Sequence, residues 1–143
     1  MKTLKYIAFA FILGAITFSA CNKYEDGPKL SLRTKKARLA GDWLIESYTS
    51  KGIDSTASFL AYLGANFKFI IEKDGKYSIQ GNSTDAGTWK LGEDKDDVMF
   101  LSNVAGAKED SYRILRLKNK ELWLKHTESN GDIKIIHYKG EKD

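Results

Sequence analysis

The chain has 143 residues with 23 Lys+Arg against 19 Asp+Glu, one cysteine and one proline. A single cysteine rules out an internal disulfide, and the basic and acidic residues are interleaved. No concentrated basic face of the kind nucleic-acid binding needs is evident, so a nucleic-acid partner is not expected.

Lys2 and Lys5 precede an apolar run from Tyr6 to Phe18, which ends in Ser19-Ala20-Cys21. The run is about 13 residues, shorter than the roughly 20 a membrane-spanning helix requires. A positive start, a short apolar stretch and small residues before a break are the parts of a secretory signal. Ser19, Ala20 and Cys21 resemble the lipobox of bacterial lipoproteins. That resemblance implies removal of residues 1–20, lipidation of Cys21 and attachment to a membrane by acyl chains, which anchor stably when two or more are present. Asn22 stands where an inner-membrane retention signal would carry Asp, so the outer membrane is the expected address, facing either periplasm or cell surface. Lipidation also accounts for the lone thiol in an exported chain. With Lys2 and Lys5 gone, 21 basic residues face 19 acidic ones and the charge falls from +4 to +2.

Residues 21–38 read as a lipidated tether. They are polar, contain the one proline, Pro28, and end in the basic cluster Arg33-Lys35-Lys36-Arg38. A short helix within residues 30–39 is an expected prelude to the domain at 39–143.

The domain reads as all-β. Eight segments with strand composition are separated by turn chemistry: Asp42–Thr49, Asn66–Glu72, Lys76–Gln80, Gly87–Leu91, Val98–Ser102, Ser111–Leu117, Glu121–Thr127 and Ile133–Lys139. Ser55–Leu63, with Phe59, Leu60, Tyr62 and Leu63, has helical spacing and predicts a short helix between the first two strands. A three-residue Lys73-Asp74-Gly75 loop places Phe69 opposite Ile79 and Ile71 opposite Tyr77, gathering the apolar residues on one face. Closing the last hairpin at Asn130-Gly131 pairs Leu124 with His137 and His126 with Ile135. Both histidines then face inward, about 7–8 Å apart as diagonal cross-strand neighbours, and Trp123 and Tyr138 share the outer face. The Gly92–Asp97 acids lack the spacing of a calcium loop and read as a solvated hairpin turn.

Antiparallel hairpins in succession predict an eight-stranded up-and-down sheet, which removes its exposed edges by closing into a barrel. Gly41-Asp42-Trp43 at the first strand resembles the G-x-W motif that opens lipocalins. Gly87-Thr88-Trp89, Tyr112-x-Ile114 and Glu121-Leu122-Trp123-Leu124 resemble the lipocalin-like domains of Bacteroides-type lipoproteins. The resemblance spans roughly residues 39–139 and implies a barrel that binds a small, partly apolar ligand at its open end.

A barrel of this size is either filled by side chains or holds one small ligand. In the second case Trp43, Phe67, Phe69, Tyr77, Trp89, Tyr112, His126 and His137 are the expected lining. Two histidines alone do not make a zinc site, and no G-x-S-x-G elbow is present. The expectation is therefore a non-enzymatic protein without metal or cofactor. The alternative is a solidly packed module whose outer Trp123 and Tyr138 engage an envelope protein or glycan.

Overall fold

The computed structural model describes residues 33–141. The signal-like segment, Cys21 and most of the tether lie outside the described residues. Nine strands and two helices follow in order: α1 (Lys35–Leu39), β1 (Gly41–Ser50), β2 (Ile53–Asp54), α2 (Thr56–Leu63), β3 (Lys68–Ile71), β4 (Lys76–Gln80), β5 (Asp85–Leu91), β6 (Asp97–Ser102), β7 (Asp110–Leu117), β8 (Glu121–Thr127) and β9 (Ile133–Gly140).

Each long strand pairs antiparallel with the next, and β9 pairs back onto β1, so β1 and β3–β9 close an eight-stranded up-and-down barrel. The two-residue β2, which sequence reasoning missed, only extends the end of β1, pairing Thr49 with Asp54 and Ser50 with Ile53. Closure needs sharp local bending, and it is supplied by bulges at Ile45/Ser47 in β1 and Ile114/Arg116 in β7.

The β3–β4 register is the expected one, Phe69 against Ile79 and Ile71 against Tyr77. Gly75 adopts φ 94° in the Lys73–Gly75 loop, a left-handed conformation that favours glycine. The β8–β9 register is not the expected one. Trp123 pairs with His137, Leu124 with Ile136 and His126 with Lys134. The connection is a five-residue loop from Glu128 to Asp132, closed by Glu128 N–H donating to Asp132 O and braced by Asn130 Oδ1 accepting from Asp132 N–H. Asn130-Gly131 is therefore the tip of a longer loop, and every β9 side chain moves to the opposite face from that expected. Ile136 and Tyr138 are buried inside, and His137 lies on the outer wall.

The barrel has a closed end and an open end. Leu39, Trp43, Ile71, Val98, Ile114, Leu117, Leu122 and Leu124 are almost completely buried and fill the closed end. The α1 helix caps it. Thr34 Oγ1 accepts from Ala37 N–H, Leu39 is fully buried, Arg38 donates to Leu117 O at 2.9 Å and Lys35 pairs with Asp96 at 3.1 Å. This helix lies on residues read as tether, yet it is docked onto the barrel. Asp96 and Asp97, the latter paired with Arg113 at 2.8 Å, tie the β5–β6 turn to its neighbours.

At the other end, α2 is fastened to the tip of β1. Thr56 Oγ1 accepts from Tyr48 N–H at 2.9 Å, and the Phe59 ring stacks on Tyr48 with centroids 4.0 Å apart. Gly64, at φ 93°, ends the helix. No helix among the described residues is long and apolar enough to cross a membrane.

Candidate functional site

Strand alternation sends every second side chain inward. Near the closed end these are aliphatic and tryptophan; near the open end they become aromatic and then polar. A cavity of about 450 Å³ occupies the open half of the barrel. Its wall contains Phe69, Tyr77, Phe100, Tyr112 and Tyr138, contributed by five different strands. Phe100 is central, with ring centroids 5.4 Å from Phe69, 5.3 Å from Tyr77 and 5.8 Å from Tyr112. Edge-to-face pairs of this kind hold their rings in fixed orientations.

Polar groups gather where the cavity opens. Asp85, Ser102, Lys108 and Asp110 all line it. Asp85 Oδ2 accepts from the Tyr77 hydroxyl at 2.7 Å, and Oδ1 accepts from the Ser102 hydroxyl at 2.6 Å. Burial works against ionisation of Asp85, but these two hydroxyls and the Ala86 N–H outweigh it and hold the carboxyl below its ordinary value. The Tyr77 hydroxyl is correspondingly pushed up, by burial first and then by its bond to Asp85.

Two further hydroxyls point to an unfinished arrangement. Burial pushes Tyr112 up to about 12, with Asp110 adding to the effect, and burial raises Tyr138 further. Neither hydroxyl makes a hydrogen bond to another described residue, and neither is sealed in the wall, so both reach the open space of the cavity that their side chains line. A ligand in that space can meet both hydroxyls.

A second hollow, of about 650 Å³, adjoins the cavity and shares Lys108, Asp110 and Tyr112 with it. Tyr48 and Phe59 form its apolar side, and His126, Glu128 and Lys134 its polar side. His126 lies 4.9 Å from Tyr112 between ring centroids, and its Nδ1 is 2.9 Å from Ser111 O. Lys134 pairs with Glu128, so its charge at the rim is internally compensated.

Of the residues expected from sequence to line a site, Phe69, Tyr77 and Tyr112 border the cavity and His126 borders the adjoining hollow. Trp43 is buried at the closed end, its indole N–H donating to Leu39 O at 2.9 Å. Trp89 is buried too and donates to Glu72 O at 2.8 Å. Phe67 is buried in the core. The expected pairing of the histidines on one face fails. His126 is inside the rim, whereas His137 stacks on Trp123 outside, with centroids 4.1 Å apart and planes 13° from parallel. The expected outer pair of Trp123 and Tyr138 fails for the same reason, since Tyr138 is buried within the barrel.

Sequence reasoning missed Tyr138, Asp85, Ser102 and Asp110. Tyr138 sat on a strand in view, on the face expected to be the outer one. Asp85 and Asp110 each fell just before the expected start of a strand and so read as turn residues. Compared with protein-family models and with curated proteins, the chain matches no family and no relative.

Proposed function

We propose that this protein holds a small, partly apolar molecule in the open half of its barrel, without transforming it. The observation that carries this reading is the 450 Å³ cavity with its five aromatic side chains, two of which, Tyr112 and Tyr138, bring hydroxyls that make no hydrogen bond to another described residue. Ligand pockets are typically concave and largely apolar, with a few convergent polar groups that fix orientation. The large side chains Ile53, Tyr62 and Val104, each about two-thirds exposed, lie on connections at the same end and give an apolar molecule a graded approach.

The N-terminal segment supports the same reading from another direction. A lipobox-like Ser19-Ala20-Cys21 supports an outer-membrane lipoprotein tethered by acyl chains on Cys21. The resemblance to lipocalin-like lipoprotein domains fits a carrier held at an envelope surface. The competing reading, a solidly packed interaction module, is disfavoured by the cavity and by the inward turn of Tyr138.

Two measurements test the proposal. Native mass spectrometry of protein isolated from its own envelope should find a bound small molecule that organic extraction releases. Protein isolated bare, and unable to enhance the fluorescence of a neutral apolar dye, contradicts ligand holding. Cys21→Ala should shift the chain from the membrane to the soluble fraction, and unchanged membrane retention contradicts the anchor.

A further inference from the structure

We infer that the molecule held in the barrel is an organic cation, a protonated amine with an apolar or aromatic body. This rests on the cavity being a ligand site and adds the charge of its occupant.

Charge at the cavity mouth is unbalanced. Of the acids bordering the cavity and the adjoining hollow, Glu109 pairs with Lys90 at 2.7 Å and Glu128 pairs with Lys134. Asp85 and Asp110 are left, and neither has a cationic partner within 4 Å among the described residues. Asp85 accepts from neutral donors, the Tyr77 and Ser102 hydroxyls and the Ala86 N–H, which stabilise its charge without cancelling it. A carboxylate with no counter-charge beside an aromatic wall attracts a cation that enters the cavity. The one basic side chain bordering this cavity, Lys108, sits on the exposed loop before β7 and leaves the lining with a negative balance.

The rest of the wall suits the same ligand. Phe69, Tyr77, Phe100, Tyr112 and Tyr138 bring electron-rich rings to the space below the carboxylates. Aromatic faces attract ammonium groups, more strongly when water is excluded. The phenol oxygens of Tyr112 and Tyr138 make no hydrogen bond to another described residue and can accept one from an N–H⁺ group. An anionic ligand would meet the two carboxylates instead.

The test uses the mature chain, residues 21–143, carrying Cys21→Ser so that no acyl chain competes for the site. The described residues supply the whole closed barrel and its core, so this form keeps the site intact. Calorimetric titrations compare 2-phenylethylammonium with the neutral 2-phenylethanol and the anionic 3-phenylpropionate at pH 7. The ammonium ion should bind about tenfold more tightly than the alcohol, and the carboxylate should bind weakest. Asp110→Asn should lower the ammonium-to-alcohol ratio roughly three- to fivefold, the size expected of a solvated charge contact, and Lys108→Gln should raise it. Asp85→Asn should lower it further; Asp110→Asn, on the strand edge, serves should that variant fold poorly. Equal binding of the three compounds, or a ratio indifferent to Asp110 and Lys108, overturns the cation inference while leaving ligand holding intact. Failure of all three compounds and of a neutral apolar dye overturns both.

Discussion

The Tyr77 hydroxyl donates a 2.7 Å hydrogen bond to Asp85 Oδ2 across the β4–β5 pair, at the level where the barrel opens. With the Ser102 hydroxyl on Oδ1, it makes a three-strand polar clasp over an aromatic floor. Tyr77→Phe keeps the ring and removes only the clasp. The expected cost is about 1 kcal/mol of folding stability, read from urea denaturation, and Asp85 should titrate closer to its ordinary value. An unchanged Asp85 titration by NMR would contradict the clasp.

Gly87 makes the same wall possible. A Cβ on Gly87 would lie 2.0 Å from Leu101 O and 2.8 Å from the Tyr77 ring. Both neighbours are fixed, one by backbone and one by the clasp. Gly87→Ala should therefore cost about 2 kcal/mol or more through overpacking, whereas Gly106→Ala, whose Cβ meets nothing within 4 Å, should cost only about 1 kcal/mol, from its φ of 81°. Thermal unfolding of the two variants checks the contrast.

On the outer wall, His137 stacks on Trp123, and the Arg116 guanidinium lies 4.6 Å from the Trp123 ring on the neighbouring strand. Burial lowers the His137 pKa, Glu46 works to raise it and Arg116 adds to the lowering. Because the folded value lies below the unfolded one, near 6.5, the unfolded chain binds the proton more readily. The contribution is complete above that value and is lost as pH falls through the folded pKa. Between pH 7.5 and 5.5, the wild-type Tm should therefore fall more than that of His137→Gln. Parallel declines would contradict the assignment.

The α2 helix leans on the barrel through the Tyr48–Phe59 stack, with Thr56 fastened to Tyr48. Phe59→Ala removes the ring that walls the adjoining hollow and leaves the cavity floor in place. Ligand association and dissociation should both quicken, by roughly three- to tenfold, with a smaller change in affinity. Stopped-flow fluorescence separates these rates, and unaltered rates would show that α2 does not gate the mouth.

How much of this was legible in the sequence depended on turns. The β3–β4 faces followed from Gly75, because only the three-residue loop kept Phe69, Ile71, Tyr77 and Ile79 together. The last hairpin offered Asn130-Gly131, a strong two-residue turn signal, but Asn130 instead braces Asp132 within a longer loop. Lys134 reinforced the error. A lysine normally marks an outer face, yet here it faces inward at the rim, where Glu128 meets it. That single-residue slip moved Tyr138 out of the expected site and His137 into it. Asp85 and Asp110 were invisible for a related reason. Strand ends are the least determined part of a sequence reading, and the mouth of a barrel is built from strand ends.

Ala107 allows a direct test of whether the open half of the barrel holds a small apolar molecule. Ala107 borders the cavity on the β6–β7 connection, outside the strands. Ala107→Trp should place an indole in the opening without disturbing the core. Titration of N-phenyl-1-naphthylamine into unacylated mature chain, followed by dye fluorescence, should show saturable one-to-one binding that weakens at least about tenfold in this variant. Undiminished dye binding by a folded Ala107→Trp protein would contradict the account.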